Sequence, residues 1–272
     1  MINKIVFSGG GINGIIFLGV VKYLEENNLL KHINTYVGTS FGSFISALLC
    51  LNYSYLELKE LILSIDLIQL QNYNINNLFI NYGIDNGINI NITLKCLIKN
   101  KLNINDITLK NLYIKTKKKL VIITTCITNN TEYTLDHISH PNLSLIKALQ
   151  MSICIPIYFE PILHNQKLYI DGSVLSHFKI NYFDKNDISV LGILLYNNNI
   201  FKINEINNFE NYIYNLIEIL LNNITIDCEE DRRIIKIKYE YNCLQFNISL
   251  DEKKKLINIG YECAYNYFKK NN

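Results

Sequence analysis

With 272 residues, the chain is long enough to bury a large core without disulfides or metals. Hydrophobic residues make up 49% and charged residues 18%, which excludes a disordered chain. The net charge is +2, Arg232 and Arg233 are the only arginines, and the lysine runs at 117–119, 253–255 and 269–270 read as solvated turns and helix ends, so no nucleic-acid partner is expected.

Residues 4–7 read as a short buried strand, β-branched and aromatic, that runs into glycines. Behind Gly14, the residues Phe17, Leu18, Val21 and Leu24 recur at helical spacing, so a helix opens directly after a glycine-rich turn. Residues 35–37 form a second short strand, and 41–51 a helix apolar on most faces. Ser54 and Glu57 fit a capping box, which opens a helix expected to reach about Leu70. Residues 72–92, rich in asparagine and holding Gly83 and Gly87, read as loop; 93–100 and 108–116 read as short helices. Residues 120–127 form a strand, with 132–135 as a partner, and Asn142 is expected to cap a helix over 143–151. A strand over 167–170 runs into Asp171-Gly172, and 189–196 is a further buried strand.

Residues 209–221 are helical, 234–241 alternate as a half-exposed strand, and Ser249 with Glu252 caps a final helix to about Phe268. Strands that alternate with helices predict an α/β fold, a mainly parallel central sheet flanked by helices. With no linker and no internal repeat, a single domain over 1–272 is expected.

The 40 asparagines and 47 isoleucines, with abundant lysine and tyrosine, point to an AT-rich coding sequence and carry no chemistry. The seven cysteines (Cys50, Cys96, Cys126, Cys154, Cys228, Cys243 and Cys263) form no C-x-x-C pair, which places the chain in a reducing, cytoplasmic setting. No run of 18 apolar residues exists, so no membrane-spanning helix is expected. Residues 15–21 lack the basic flank and cleavage site of a signal peptide. The histidines His32, His137, His140, His164 and His177 read as surface or turn residues, none in metal-ligand spacing, and no EF-hand loop is present; neither metal nor cofactor is expected.

Three motifs carry chemistry. The first is Ser8-Gly9-Gly10-Gly11-Ile12-Asn13-Gly14, between a strand and a helix. Consecutive backbone N–H groups beside a helix N-terminus favour an anion, either a dinucleotide pyrophosphate or the oxyanion of acyl transfer. The dinucleotide alternative wants an acid at the end of the second strand, where this sequence has Ser40.

The second motif, Gly38-Thr39-Ser40-Phe41-Gly42, is G-x-S-x-G at a strand-to-helix junction, the setting of a nucleophile elbow. A simple N-cap role for Ser40 is the plainer reading, and the flanking glycines count against it. The third is Asp171-Gly172-Ser173 at a strand end. A carboxylate at a strand's carboxyl end is expected on the same rim of the sheet as the elbow.

In this order the motifs resemble those of the patatin-like phospholipases, with their glycine turn, serine elbow and Asp-Gly turn. The stretch from Gln150 to Pro161 is similar to that family's A-S-x-A-x-P-x-x-F-x-P segment, and the resemblance spans about residues 4–195. It implies a three-layer α/β fold and a lipid acyl hydrolase in which Ser40 is the nucleophile and Asp171 the base. Gly9, Gly10, Gly11, Asn13 and Gly14 would form the oxyanion hole, Gly38 and Gly42 the elbow, and Gly172 and Ser173 the third motif. The implied partner is a lipid presented by a membrane or lipid droplet, met peripherally.

Three departures bear on rate and substrate choice rather than reaction class. Asn13 stands where the family has Arg or Lys, Ser173 replaces a smaller residue, and the Asn-Pro after the aspartate turn is absent. Two competitors stay open: a catalytically impaired lipid-binding or interaction protein, and a dinucleotide-binding enzyme.

Overall fold

A computed structural model describes residues 1–197, 206, 209–222, 231–239 and 241–271. The chain opens with β1 (Lys4–Phe7), a 3-10 turn over Gly11–Ile15, and α1 (Ile16–Glu26), then β2 (Thr35–Thr39) and α2 (Phe41–Cys50). There follow α3 (Tyr55–Ser64), α4 (Ile75–Asn81), β3 (Gly83–Asp85), α5 (Ile88–Leu102) and α6 (Leu109–Thr116). Next come β4 (Lys119–Cys126), β5 (Thr131–Leu135), α7 (Leu145–Ile153), β6 (Ile157–Phe159), β7 (Ile162–His164) and β8 (Lys167–Asp171). β9 (Val190–Tyr196), α8 (Phe209–Asn222), β10 (Ile234–Lys238) and α9 (Leu250–Asn271) complete the described elements.

The main sheet has the order β10-β9-β1-β2-β4-β8-β7, with β5 on the other flank of β4. From β10 to β4 every pairing is parallel, whereas β5 and β8 run antiparallel to β4 and β7 antiparallel to β8. The mainly parallel α/β class expected from the alternation of elements is the one observed.

Both faces of this sheet are covered, which is why its strands are apolar almost throughout. The two-residue period sends Ile5, Phe7, Tyr36, Ile122, Leu191 and Ile193 into the core shared with α1, α2, α7 and α9. Val6, Val37, Val121, Ile123 and Leu194 face the other way, against Phe178 and Ile180 of the segment that follows β8. Because β1 lies between β2 and β9, the glycine turn after β1 sits where the chain direction across the sheet reverses, the place where α/β folds open a crevice.

Several local expectations are corrected. The helix capped by Ser54 and Glu57 stops at Ser64, because Asp66 caps a separate 3-10 turn over Leu67–Leu70. Its last carbonyls, Ile62 and Ile65, accept from the buried Lys253 ammonium at 2.9 and 2.6 Å. Residues 72–92 are not loop but hold α4, β3 and the start of α5. Asn74 accepts from the Asn76 amide to open α4, and the buried Asp85 carboxylate takes the amides of Asn72 (2.6 Å) and Gly87 (2.7 Å), so polar residues here close turns within regular structure.

The cap of α7 is Ser144, not Asn142: the Leu143 carbonyl is engaged by the Leu109 amide at 2.9 Å, so helical geometry begins only beyond it. The strand expected over 234–241 ends at Lys238. Cys228 lies outside the described residues.

Candidate active site

The elbow between β2 and α2 places Ser40. Its φ of 53° and ψ of −126° fall in a region an L-residue adopts only under constraint. The constraint is packing. A Cβ on Gly42 would strike the carbonyl of Ser8, and one on Gly38 would strike the Gly42 carbonyl, so only glycines let β2, β1 and α2 approach this closely. The plain N-cap reading fails: Ser40 makes no side-chain capping bond. Its Oγ instead donates to Asp171 Oδ2 at 2.6 Å.

The register of β4 shows why these two meet. Thr39 at the end of β2 pairs with Ile123, and Asp171 at the end of β8 pairs with Thr124, the next residue along β4. Since β5 holds the opposite flank over Ile122–Cys126, β2 and β8 lie on one flank of β4, end to end. This corrects the reason expected from sequence. β8 is antiparallel, so Asp171 does not share a parallel rim with Ser40; two strands running head-on deliver both residues to one point.

The corner is braced by residues outside the three motifs, of which Ser152 lies in the family-like stretch from Gln150 to Pro161. Ser152, at the end of α7, accepts from the Ser40 amide (3.0 Å) and donates to the Ile123 carbonyl (2.6 Å). Thr124 Oγ1 sits between the carbonyls of Met151 (2.8 Å) and Ile170 (3.0 Å), joining α7 to β8. The one available signal was a polar residue amid apolar ones in the stretch from Gln150 to Pro161. The second carboxylate oxygen of Asp171 accepts from the Ser173 amide at 2.7 Å. With 1% of its surface exposed, Asp171 has its carboxyl pushed up to about 6, burial outweighing the hydrogen bonds from Ser40 and Ser173.

The glycine turn lies against both other motifs. Gly9 faces Ser173 Oγ, Gly14 faces the Phe41 ring, and Gly172 packs on the Ile123 carbonyl. Gly11, at φ 52°, turns the chain beneath the carbonyl of Cys243. The amides of Gly9, Ile12 and Asn13 are taken by the carbonyls of His177, Cys243 and Gly10. Among the described residues, those of Gly10 and Gly11 donate to no protein group.

Asn13 is fully buried, and its side-chain amide donates to the Tyr241 carbonyl at 2.8 Å, so it anchors the C-terminal segment to the turn. A pyrophosphate would meet few free amides here, which counts against the dinucleotide alternative.

His177 is corrected from a surface residue to a buried one. Its Nε2 donates to the Leu195 carbonyl at 3.0 Å, and burial lowers its pKa, so it packs neutral behind the turn. The other four histidines are exposed or half-buried. Among the described residues no group of three or more His, Cys, Asp or Glu could hold a metal ion, and no helix is long and apolar enough to cross a membrane.

Ser40 opens onto a cavity of about 140 Å³ walled by Gly11, Phe41, Phe44, Ile62, Leu94 and Phe246, among others; no charged side chain of the described residues lines it. A hydroxyl on a buried carboxylate, two free amides and an apolar cavity together make a site for acyl transfer to or from a hydrocarbon-bearing ester.

The sequence matches the patatin-like phospholipase family over residues 5–184. The chain belongs to that family. Membership supports lipid hydrolysis as the class of activity of this patatin-like protein.

An uncharacterized protein of Acanthamoeba polyphaga mimivirus is 28% identical over 274 residues, covering 95% of this chain and 91% of that one. A probable lipid hydrolase of Invertebrate iridescent virus 6 is 31% identical, covering 65% of this chain and 61% of its own. Among solved structures, VipD from Legionella pneumophila superposes with a TM-score of 0.69 at 15% identity over 98% of this chain and 67% of its own. ExoU of Pseudomonas aeruginosa, in complex with SpcU, gives 0.57 at 16% identity over 99% of this chain and 52% of its own. At these identities the two structures share the fold.

Proposed function

We propose that this patatin-like protein is a serine lipid acyl hydrolase of the phospholipase A type, with Ser40 as nucleophile and Asp171 as general base. The observation that carries the reading is the 2.6 Å hydrogen bond from Ser40 Oγ to Asp171, made at a strained elbow on the wall of an apolar cavity. Asp171 takes the hydroxyl proton as Oγ bonds to the ester carbonyl carbon. The developing oxyanion lies toward the amides of Gly10 and Gly11, donors of a kind worth about 3–4 kcal/mol each.

Collapse breaks the ester C–O bond. The departing alkoxide takes the proton from Asp171 and leaves as a lysolipid or glycerol derivative. Water then loses a proton to Asp171 and attacks acyl-Ser40, and that proton returns to Ser40 Oγ as the fatty acid leaves. The acyl chain occupies the apolar cavity. Burial makes Asp171 a stronger base than an exposed carboxylate, which supports a dyad that works without histidine.

The test is mass spectrometry of products from a mixed phospholipid and triacylglycerol panel. Wild-type protein should release fatty acid, and Ser40→Ala and Asp171→Asn should each lower turnover by about 10³-fold or more. Near-normal turnover in either variant, or fluorophosphonate labelling at another residue, overturns the dyad. Lipid retained without acyl release would favour the impaired lipid-binding reading, which draws on the absence of a cation at Asn13.

A further inference from the structure

Residues 67–92 form an outer wall of the cavity, and their composition is unlike the rest of the chain. Between Asp66 and Lys95 the sequence holds one charged residue, Asp85. That carboxylate is 0% exposed and is consumed by the amides of Asn72 and Gly87. The exposed surface of the stretch therefore carries no formal charge of its own. What it does carry is apolar: Phe79 is 81% exposed, Ile80 70% and Tyr82 63%, with Ile75, Ile88 and Ile92 about half exposed beside them in sequence. Solvated helices in water place charges at such positions, and asparagine fills them here.

The inner side of the same stretch reaches the reaction site. Leu67, Leu70 and Ile90 line the cavity that holds Ser40. β3 pairs with β6 through Gly83–Ile157 and Asp85–Phe159, and Phe159 is also a cavity residue. Asn89 ties α5 to the carbonyls of Gln69 and Gln71 (3.1 and 3.3 Å), and Asn81 reaches the Glu160 carboxylate (3.0 Å) at the edge of the wall. The stretch that carries the apolar tips thus also supplies part of the cavity wall.

We propose that this protein docks on an uncharged lipid surface through residues 67–92, with Phe79, Ile80 and Tyr82 entering the headgroup layer beside the cavity mouth. The proposal rests on the lipid-hydrolase reading, because the stretch that displays these apolar tips also supplies Leu67, Leu70 and Ile90 to the cavity wall, so docking here would bring lipid close to the cavity that holds Ser40. A bilayer suits the patch better than an acidic or basic partner, since residues 67–92 expose no charge of their own and the neighbouring Glu160 carboxylate is held by Asn81. The same feature sets the expected lipid preference: binding driven by apolar insertion, needing no anionic lipid and little altered by salt.

The experiment is co-sedimentation of the full chain with phosphatidylcholine vesicles, with and without one fifth phosphatidylserine, at low salt and at about 0.5 M salt. Wild-type protein should bind under all four conditions. The double variant Phe79→Asp/Ile80→Asp should bind at least about tenfold more weakly. Ile188→Asp, which alters an 83% exposed isoleucine at the opposite rim of the parallel strands, should bind as wild type.

In parallel, hydrolysis of a water-soluble short-chain ester should stay within about twofold in both variants, which shows that the fold and the Ser40 corner persist. Unchanged vesicle binding in the double variant, or binding that requires phosphatidylserine and is lost in salt, overturns the proposal. So does a wild-type dimer in light scattering that the double variant dissolves. Failure of the hydrolase reading shows separately, as absent ester turnover, while the vesicle result still decides docking.

Discussion

At the Ser40 corner the polar atoms are buried, close and bonded. One hydroxyl meets one carboxylate at 2.6 Å, Ser152 accepts from the Ser40 amide, and the Ser173 amide donates to the other carboxylate oxygen. At the α4 rim the opposite holds: large apolar side chains stand in water, and the polar groups beneath them are asparagines that close turns. The corner is assembled from β2, β4, α7 and β8, whereas the rim is one continuous stretch. The difference teaches that the chemistry and the access to it are separable. A strained serine at an elbow needs packing from many directions to hold it; an apolar rim needs only a scaffold that displays its tips.

The comparison breaks first on substrates. Under the proposed function, Asp171→Asn lowers kcat/KM by about 10³-fold or more on soluble ester and vesicle lipid alike, whereas Phe79→Asp/Ile80→Asp lowers it on vesicles alone. Parallel losses of the rim variant on both substrates would show the two regions to be one.

Gly42→Ala sharpens the packing half of the comparison. The added methyl meets backbone of β1, so the variant should lose about 3 kcal/mol or more in urea unfolding, along with its activity. Stability within about 1 kcal/mol of wild type would mean that the elbow is not over-determined.

The pH dependence isolates Asp171. Under the proposed function Asp171 must be ionised to act as base, so kcat/KM on a soluble ester should fall as pH drops below about 6 and level off above it. The sign for stability is the reverse. A carboxyl raised from 3.8 to about 6 adds stability that is full below about pH 4 and is lost as pH rises through 6, a span worth roughly 3 kcal/mol at most. Thermal unfolding of wild type against Asp171→Asn should therefore shift in favour of the variant between those pH values. A difference that does not vary with pH removes burial as the cause.

The smallest expected effect is at Ser152. Ser152→Ala leaves the Ser40 amide without its partner, which should cost about 1–3 kcal/mol of stability and lower kcat with KM held. An unchanged kcat would reduce Ser152 to a packing residue.

Legibility in the sequence followed the range of the interaction. The glycine turn, the elbow and the Asp-Gly turn are each short, and each announces its backbone need through glycine, so these segments were readable one by one. Both capping boxes were readable for the same reason. Residues 72–92 were misread because asparagine is ambiguous: it marks loops by composition, but here it opens α4 and ties α5 to its neighbours. His177 was misplaced because its partner, the Leu195 carbonyl, lies on a separate strand, and the bond from Asn13 to Tyr241 was not visible because the two are far apart in the chain.

Local chemistry, then, belongs to the sequence alone: which turns need glycine, which serine sits at a strand-to-helix junction, and which apolar runs must be strands or helices. These are constraints within a window of a few residues. Tertiary structure alone decided that β8 runs against β4 and stops head-on to β2, that Cys243 and Phe246 line the apolar cavity at Ser40, and that the uncharged stretch around α4 faces outward. Strand direction and helix facing follow from which hydrophobic faces are buried together, a balance over the whole core that no short segment contains.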